Sequence, residues 1–123
     1  ANFTPTTVPL TAITNTSLLL RGTNAGIIDK SQTGKSIALK GNAKSSTTAY
    51  KYLTSSMAFD GTGDYIDIPV EDQFGFGTGD FTVEFWFNYT GTMGTRPMQL
   101  GTGVNGSSHY SGWAVRIESG NSL

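Results

Sequence analysis

The chain contains no cysteine, a single histidine and few charged residues. Without cysteine it cannot form a disulfide framework, a thiolate nucleophile or a cysteine-ligated zinc site. Eight Lys and Arg stand against nine Asp and Glu, and charged residues make up only 14% of the 123 positions. So weak and balanced a charge favours neither nucleic acid nor an anionic membrane surface as a partner.

Long apolar runs are also missing. No apolar run is longer than three residues, the length of the run at 18–20, which is far below the roughly 18 residues that a membrane span needs, so no membrane insertion is expected. The N-terminal stretch has neither the basic end nor the apolar centre of a signal peptide. Residues 1–16 are instead rich in Thr and Pro, and they predict an extended linker or docking arm ahead of a domain at 17–123.

Glycine is abundant, with 16 residues, roughly twice its usual share, and the other polar positions are mostly Thr, Ser and Asn. Short strand-like stretches recur between these turn residues, and no segment has a helical period. The stretches are 17–21, 26–29, 36–41, 56–60, 64–69, 80–89, 97–101 and 112–118. Short strands at regular spacing, separated by turn residues, predict an all-β sandwich or barrel.

The segment 80–89 is the longest of these stretches. Apolar residues alternate along it at Phe81, Val83, Phe85 and Phe87. Alternate residues of a strand point to the same face, so we expect these four side chains in the core. The same alternation predicts a second core strand at 112–118.

A five-residue pattern, Gly-Thr-Gly-Asp-aromatic, occurs at 61–65 and again at 77–81. A phosphate-binding loop is excluded because a strand-like pattern, not a helix, comes after each copy. Asp60 and Asp64 are candidate ligands for a cation such as calcium, although their spacing is wider than in an EF-hand loop. A turn explains the pattern better, since glycine accepts positive φ and an Asp side chain accepts nearby backbone N–H groups.

Two segments carry a family resemblance. SMAFDGTGDYIDIP at 56–69 and FGFGTGDFTVEFWF at 74–87 resemble the concanavalin A-like jelly roll in its laminin-G-like form. The stretch TAITNTSLLLRGTNAGIIDKS at 11–31, with GNA at 41–43, is similar to domains in structural proteins of marine tailed bacteriophages. The resemblance covers most of the chain, from about residue 11 to residue 117.

The resemblance implies an antiparallel two-sheet jelly-roll sandwich located in the virion, as part of a tail fibre, a head fibre or a capsid decoration. It also implies other virion proteins as partners, a homo-oligomer, and contact with host-surface glycans. Members of the family usually continue through further strands after the segment that matches 112–118. We therefore expect a jelly roll that is incomplete here, with the full gene product extending beyond residue 123. The alternative is a shortened sandwich whose exposed sheet edge is covered by another subunit.

Sugar contact is the most plausible binding activity of such a fold. His109, Tyr110 and Trp113 cluster around a Gly/Ser-rich loop that could form an aromatic platform, and Trp86 is a further candidate. An alternative function is therefore a carbohydrate-binding module of a secreted bacterial protein.

Catalysis is not expected, and neither is a cofactor. Retaining glycosidases of this fold need two carboxyl groups about 5–5.5 Å apart. Asp80 and Glu84 lie four residues apart on one strand, which separates them by some 13 Å. A serine-hydrolase site would depend on His109, beside which no Gly-x-Ser-x-Gly elbow is found.

Overall fold

The structure, a computed structural model, describes residues 4–69, 71–89, 98–100 and 113–115. The chain divides into two compact units, Ala1–Pro69 and Val70–Leu123. In unit 1 the described strands are β1 (Leu20–Thr23), β2 (Gly26–Asp29), β3 (Ala38–Lys40), β4 (Lys44–Ser46), β5 (Ser56–Ala58) and β6 (Tyr65–Asp67). Unit 2 has a 3₁₀ turn (Asp72–Phe74) and the strands β7 (Met98–Leu100) and β8 (Trp113–Val115).

All the strand pairing among the described residues is antiparallel. The pairs are β1–β2, β3–β6, β4–β5 and β7–β8. No α-helix occurs in the described ranges, nor any helix long and apolar enough to cross a membrane. The all-β class is thus confirmed for this part of the chain, in the form of small antiparallel sheets.

The turn of the β1–β2 hairpin is stabilised by the side chain of Thr23. Thr23 pairs with Gly26 at the end of the ladder. The Thr23 hydroxyl donates to the carbonyl of Gly26 at 2.9 Å and accepts the N–H of Ala25 at 3.2 Å. The hairpin packs against β4 and β5, and Ile27 of β2 and Ala43 are the buried apolar side chains described in unit 1.

The pairs β3–β6 and β4–β5 are nested in the sequence. Ala38 pairs with Asp67 on the outside, while Lys44 pairs with Ala58 on the inside. The polar stretch of β4 has no strand pattern of its own, and neither it nor the 3₁₀ turn is predicted by the sequence. The other predicted stretches, apart from 80–89, each contain or overlap a strand.

The prediction of a core strand at 80–89 is wrong. The structure has no strand between residues 71 and 89. The side chains of Phe81 and Phe87 are 58% and 50% exposed, while those of Val83 and Phe85 are half-buried. Phe81 stacks instead on Phe76, with ring centroids 4.1 Å apart. Alternation alone does not make a strand, because the backbone also needs a ladder partner, and local ring stacking competes with that pairing.

Residues 4–16 form no strand, and hydrogen bonds join them to the rest of unit 1. The Tyr52 hydroxyl donates to the carbonyl of Thr6 at 2.9 Å, and the Arg21 guanidinium donates to the carbonyl of Leu10. The segment therefore lies along the unit over at least part of its length. Its role as a linker or docking arm stays a prediction.

Candidate functional site

The first Gly-Thr-Gly-Asp copy forms the turn between β5 and β6. Gly61 and Gly63 have φ angles of 86° and 74°, which only glycine adopts readily. The Asp60 carboxylate accepts the N–H of Thr62 at 2.7 Å, and the Asp64 carboxylate accepts the N–H of Asp60 at 2.7 Å. The interpretation of this copy as a turn is confirmed.

Asn42 joins this turn to the loop between β3 and β4. Its backbone N–H donates to one oxygen of Asp64, and its side-chain amide donates to Asp60 at 3.1 Å. The amide of Asn42, followed by the N–H of Thr62, holds the pKa of Asp60 below its ordinary value of 3.8. Asp60 is therefore ionised at neutral pH, and it contributes acceptors to the turn rather than a proton for catalysis.

Every carboxylate oxygen of Asp60 and Asp64 thus accepts an N–H group of the protein. Among the described residues, no three His, Asp or Glu side chains gather in a group that could hold a metal ion. The hydrogen bonds explain the turn without a cation. A cation such as calcium at these two residues stays the alternative interpretation.

The second copy also begins with a turn. Gly77 has a φ of 55°, and the N–H of Gly79 donates to the carbonyl of Phe76 at 3.1 Å. The two copies therefore share a turn with positive φ at their first glycine, whereas Gly79 of the second copy lacks the positive φ of Gly63. They differ in the segment after the turn, since β6 comes after the first copy whereas the second copy leads into no strand within residues 71–89.

Asp29, at the end of β2, collects hydrogen bonds from three neighbouring residues. Its carboxylate accepts the N–H of Leu19 at 2.9 Å, that of Ser31 at 2.8 Å and that of Lys35 at 2.7 Å, and the Ser31 hydroxyl at 2.7 Å. Burial is the strongest single influence and raises the pKa of Asp29, but the N–H and hydroxyl donors together lower it below 3.8. An Asp-x-Ser sequence directly after a strand is the signal that could have predicted this cluster.

The aromatic residues proposed for sugar contact are only partly described. His109 and Tyr110 lie outside the described residues. The backbone of Trp113 lies in β8 opposite Leu100 of β7, and Trp86 is 44% exposed in unit 2. The sugar-binding platform therefore stays a prediction.

Unit 1 has a pocket that sequence reasoning missed. It lies between the β1–β2 hairpin and residues 53–55 and has a volume of about 340 Å³. The residues that line it include Arg21, Lys30, Thr54 and Ser55. No local pattern connects residues so far apart in the sequence. We call it the hairpin pocket.

No protein family, no curated protein and no solved structure matches this chain.

Proposed function

We propose that this chain is a non-enzymatic structural and adhesive domain of a bacteriophage particle, folded as a laminin-G-like jelly roll and placed in a fibre or a capsid decoration. The observation that carries the proposal is the resemblance of residues 56–69 and 74–87 to that family. Supporting it, the first of these segments has a strand, a glycine turn and a second strand in the expected order.

The nested pairing of β3–β6 around β4–β5 supports the jelly-roll part of the proposal. A jelly roll folds long antiparallel hairpins so that their strands pass from one sheet to the other. Such a hairpin is interrupted where its strands bend. Here residues 41–43 separate β3 from β4, and residues 59–64 separate β5 from β6. Asn42 contacts Asp60 and Asp64 between these two linking segments.

The hydrogen bonding of two described carboxylates, those of Asp29 and Asp60, supports a structural role for these two residues rather than a role as general acids. Asp29 and Asp60 each accept several hydrogen bonds from nearby residues, and the pKa of each is lowered. A general acid needs a pKa near the working pH, which for a carboxyl group means a raised pKa. Both groups stabilise loops instead, as expected in a structural domain.

Immunogold electron microscopy tests the location. An antibody raised against this chain is applied to purified bacteriophage particles, and the matched control is the same antibody pre-adsorbed with the chain. We expect gold on fibres or on the capsid surface that disappears in the control. Absence of label from every particle type would contradict the proposal and favour a secreted carbohydrate-binding module.

A glycan array with the purified chain addresses that alternative. If the chain is a sugar-binding module that uses the platform around Trp113, Trp113→Ala removes glycan affinity and leaves the melting temperature unchanged. Loss of stability in the same variant would assign Trp113 to the core instead.

A further inference from the structure

Two cationic side chains of the hairpin pocket lie on one face of the β1–β2 hairpin. The N–H of Lys30 donates to the carbonyl of Leu19 at 2.8 Å, which continues the ladder one pair beyond Leu20 and Asp29. Directly opposed residues share a face, and so do residues two apart in a strand. Lys30, opposite Leu19, is therefore on the same face as Arg21.

Both cations are available to a ligand. Arg21 uses one guanidinium nitrogen on the carbonyl of Leu10, and a guanidinium has further N–H donors in the same plane. Lys30 is exposed. None of the described residues that line the pocket is acidic, so nothing there neutralises the two charges. The pocket thus favours an anionic group.

Ser55, which is only 8% exposed, lines the same pocket. The preceding residues, Leu53 and Thr54, have φ angles of 60° and 61°. Non-glycine residues rarely adopt that conformation, and such strain is common at ligand sites.

The size and lining of the pocket indicate the ligand class. A volume of about 340 Å³ is much larger than a lone carboxylate or sulfate needs and is at the lower end for small-molecule sites. Beside the two cations, the residues that line the pocket include Asn24 and Thr54, which are polar and exposed. These groups suit a ligand that carries both a negative charge and several hydroxyls.

We propose that the hairpin pocket binds an acidic sugar, with its carboxylate or sulfate against Arg21 and Lys30 and its ring hydroxyls toward Asn24 and Thr54. This site is separate from the platform around Trp113. It does not depend on a virion location, because sugar binding is measured on the purified chain whereas the virion proposal is tested on particles. Either proposal can fail while the other holds.

The test is a titration of the ¹⁵N-labelled chain followed by two-dimensional NMR. The probes are galacturonate and galactose 6-sulfate, with neutral galactose as the matched sugar and acetate and inorganic sulfate as the matched free anions. We expect saturable shifts at Lys30, Thr54 and Ser55 with one or both acidic sugars. Their affinity should exceed that of galactose and of the free anions by about 5-fold or more and should fall as salt is added.

The variant Lys30→Gln separates this site from general charge attraction. It removes an exposed cation, and we expect it to weaken binding of the acidic sugar about 5-fold. The matched control Lys40→Gln removes an exposed cation of β3 outside the pocket and should leave the affinity unchanged. Absence of saturable shifts, equal affinity for the sugars and the free anions, or equal effects of the two variants would each overturn the proposal.

Discussion

The backbone of Gly22 in β1 lies so close to Ser56 in β5 that a β-carbon on Gly22 would be 2.6 Å from the Ser56 carbonyl oxygen. Real β-carbons do not approach backbone atoms so closely. Gly22 has no side chain, and this lets the β1–β2 hairpin pack against the β4–β5 pair. Glycine is required here for space, whereas at Gly61 and Gly63 it is required for positive φ.

We therefore expect Gly22→Ala to lower the free energy of unfolding by about 1–3 kcal/mol, since the neighbouring backbone must move. Chemical denaturation measures the change. The matched control is Gly79→Ala, because a β-carbon there meets its nearest neighbour at an ordinary 3.5 Å and the backbone has no positive φ. An equal loss of stability in the two variants would contradict the close packing of β1 on β5.

Asp64→Ala should lower the melting temperature, because the N–H groups of Asn42 and Asp60 lose their acceptor. The turn between β5 and β6 would then lose its link to the β3–β4 loop. The comparison variant is Asp67→Ala, which removes an exposed carboxylate at the last residue of β6. If both variants melt at the same temperature, the hydrogen bonds of Asp64 do not stabilise the turn.

Calcium should have little effect on the stability of the same turn. The carboxylate oxygens of Asp60 and Asp64 already accept N–H groups, so we expect the same melting temperature in millimolar calcium and in excess chelator. Ligands that bind only the folded state raise the melting temperature. A rise with calcium that disappears in Asp64→Ala would instead establish a cation site at this pair.

The pH dependence of stability should reflect Asp29. Its pKa is lowered in the folded chain, so its contribution is present above the ordinary value of 3.8 and is lost as the pH falls below that value. We expect the free energy of unfolding to fall with acid below about pH 5, and to fall less steeply in Asp29→Asn. Denaturation at several pH values tests this, with Asp67→Asn as control. If the free energy of unfolding of Asp29→Asn falls with acid as steeply as that of the unchanged chain, Asp29 does not cause this pH dependence.

In unit 2, Phe74 should matter more to stability than Phe87. Phe74 is 9% exposed and Phe87 is 50% exposed. We expect Phe74→Ala to cost about 3–5 kcal/mol, whereas Phe87→Ala should cost about 1 kcal/mol or less. Equilibrium unfolding of the two variants gives the comparison. A larger loss in Phe87→Ala would restore residues 80–89 to the core.

Local features of this chain were predictable from its sequence. The turn at Gly61 and Gly63, with its Asp acceptors, results from the positive φ that glycine permits and from the reach of an Asp side chain along its own backbone. The strand at Gly26–Asp29 results from apolar residues bounded by turn residues. In both cases the atoms that interact are only a few residues apart.

The pairing of strands was decided by the tertiary structure. The sequence predicts strands near residues 36–41 and 64–69 but does not show that β3 pairs with β6 around an inner β4–β5 pair. Nor does it show that Phe81 and Phe87 remain exposed, because burial depends on the groups that pack against a side chain rather than on its own spacing.

The hairpin pocket, like the strand pairing, was decided by the tertiary structure. Arg21 and Lys30 are brought to one face by the register of β1 with β2, and Ser55 lines the same pocket from a segment more than 20 residues later. Composition, turn chemistry and strand alternation are local and can be predicted from the sequence. Pairing, burial and pockets depend on which distant segments meet, and only the folded chain determines that.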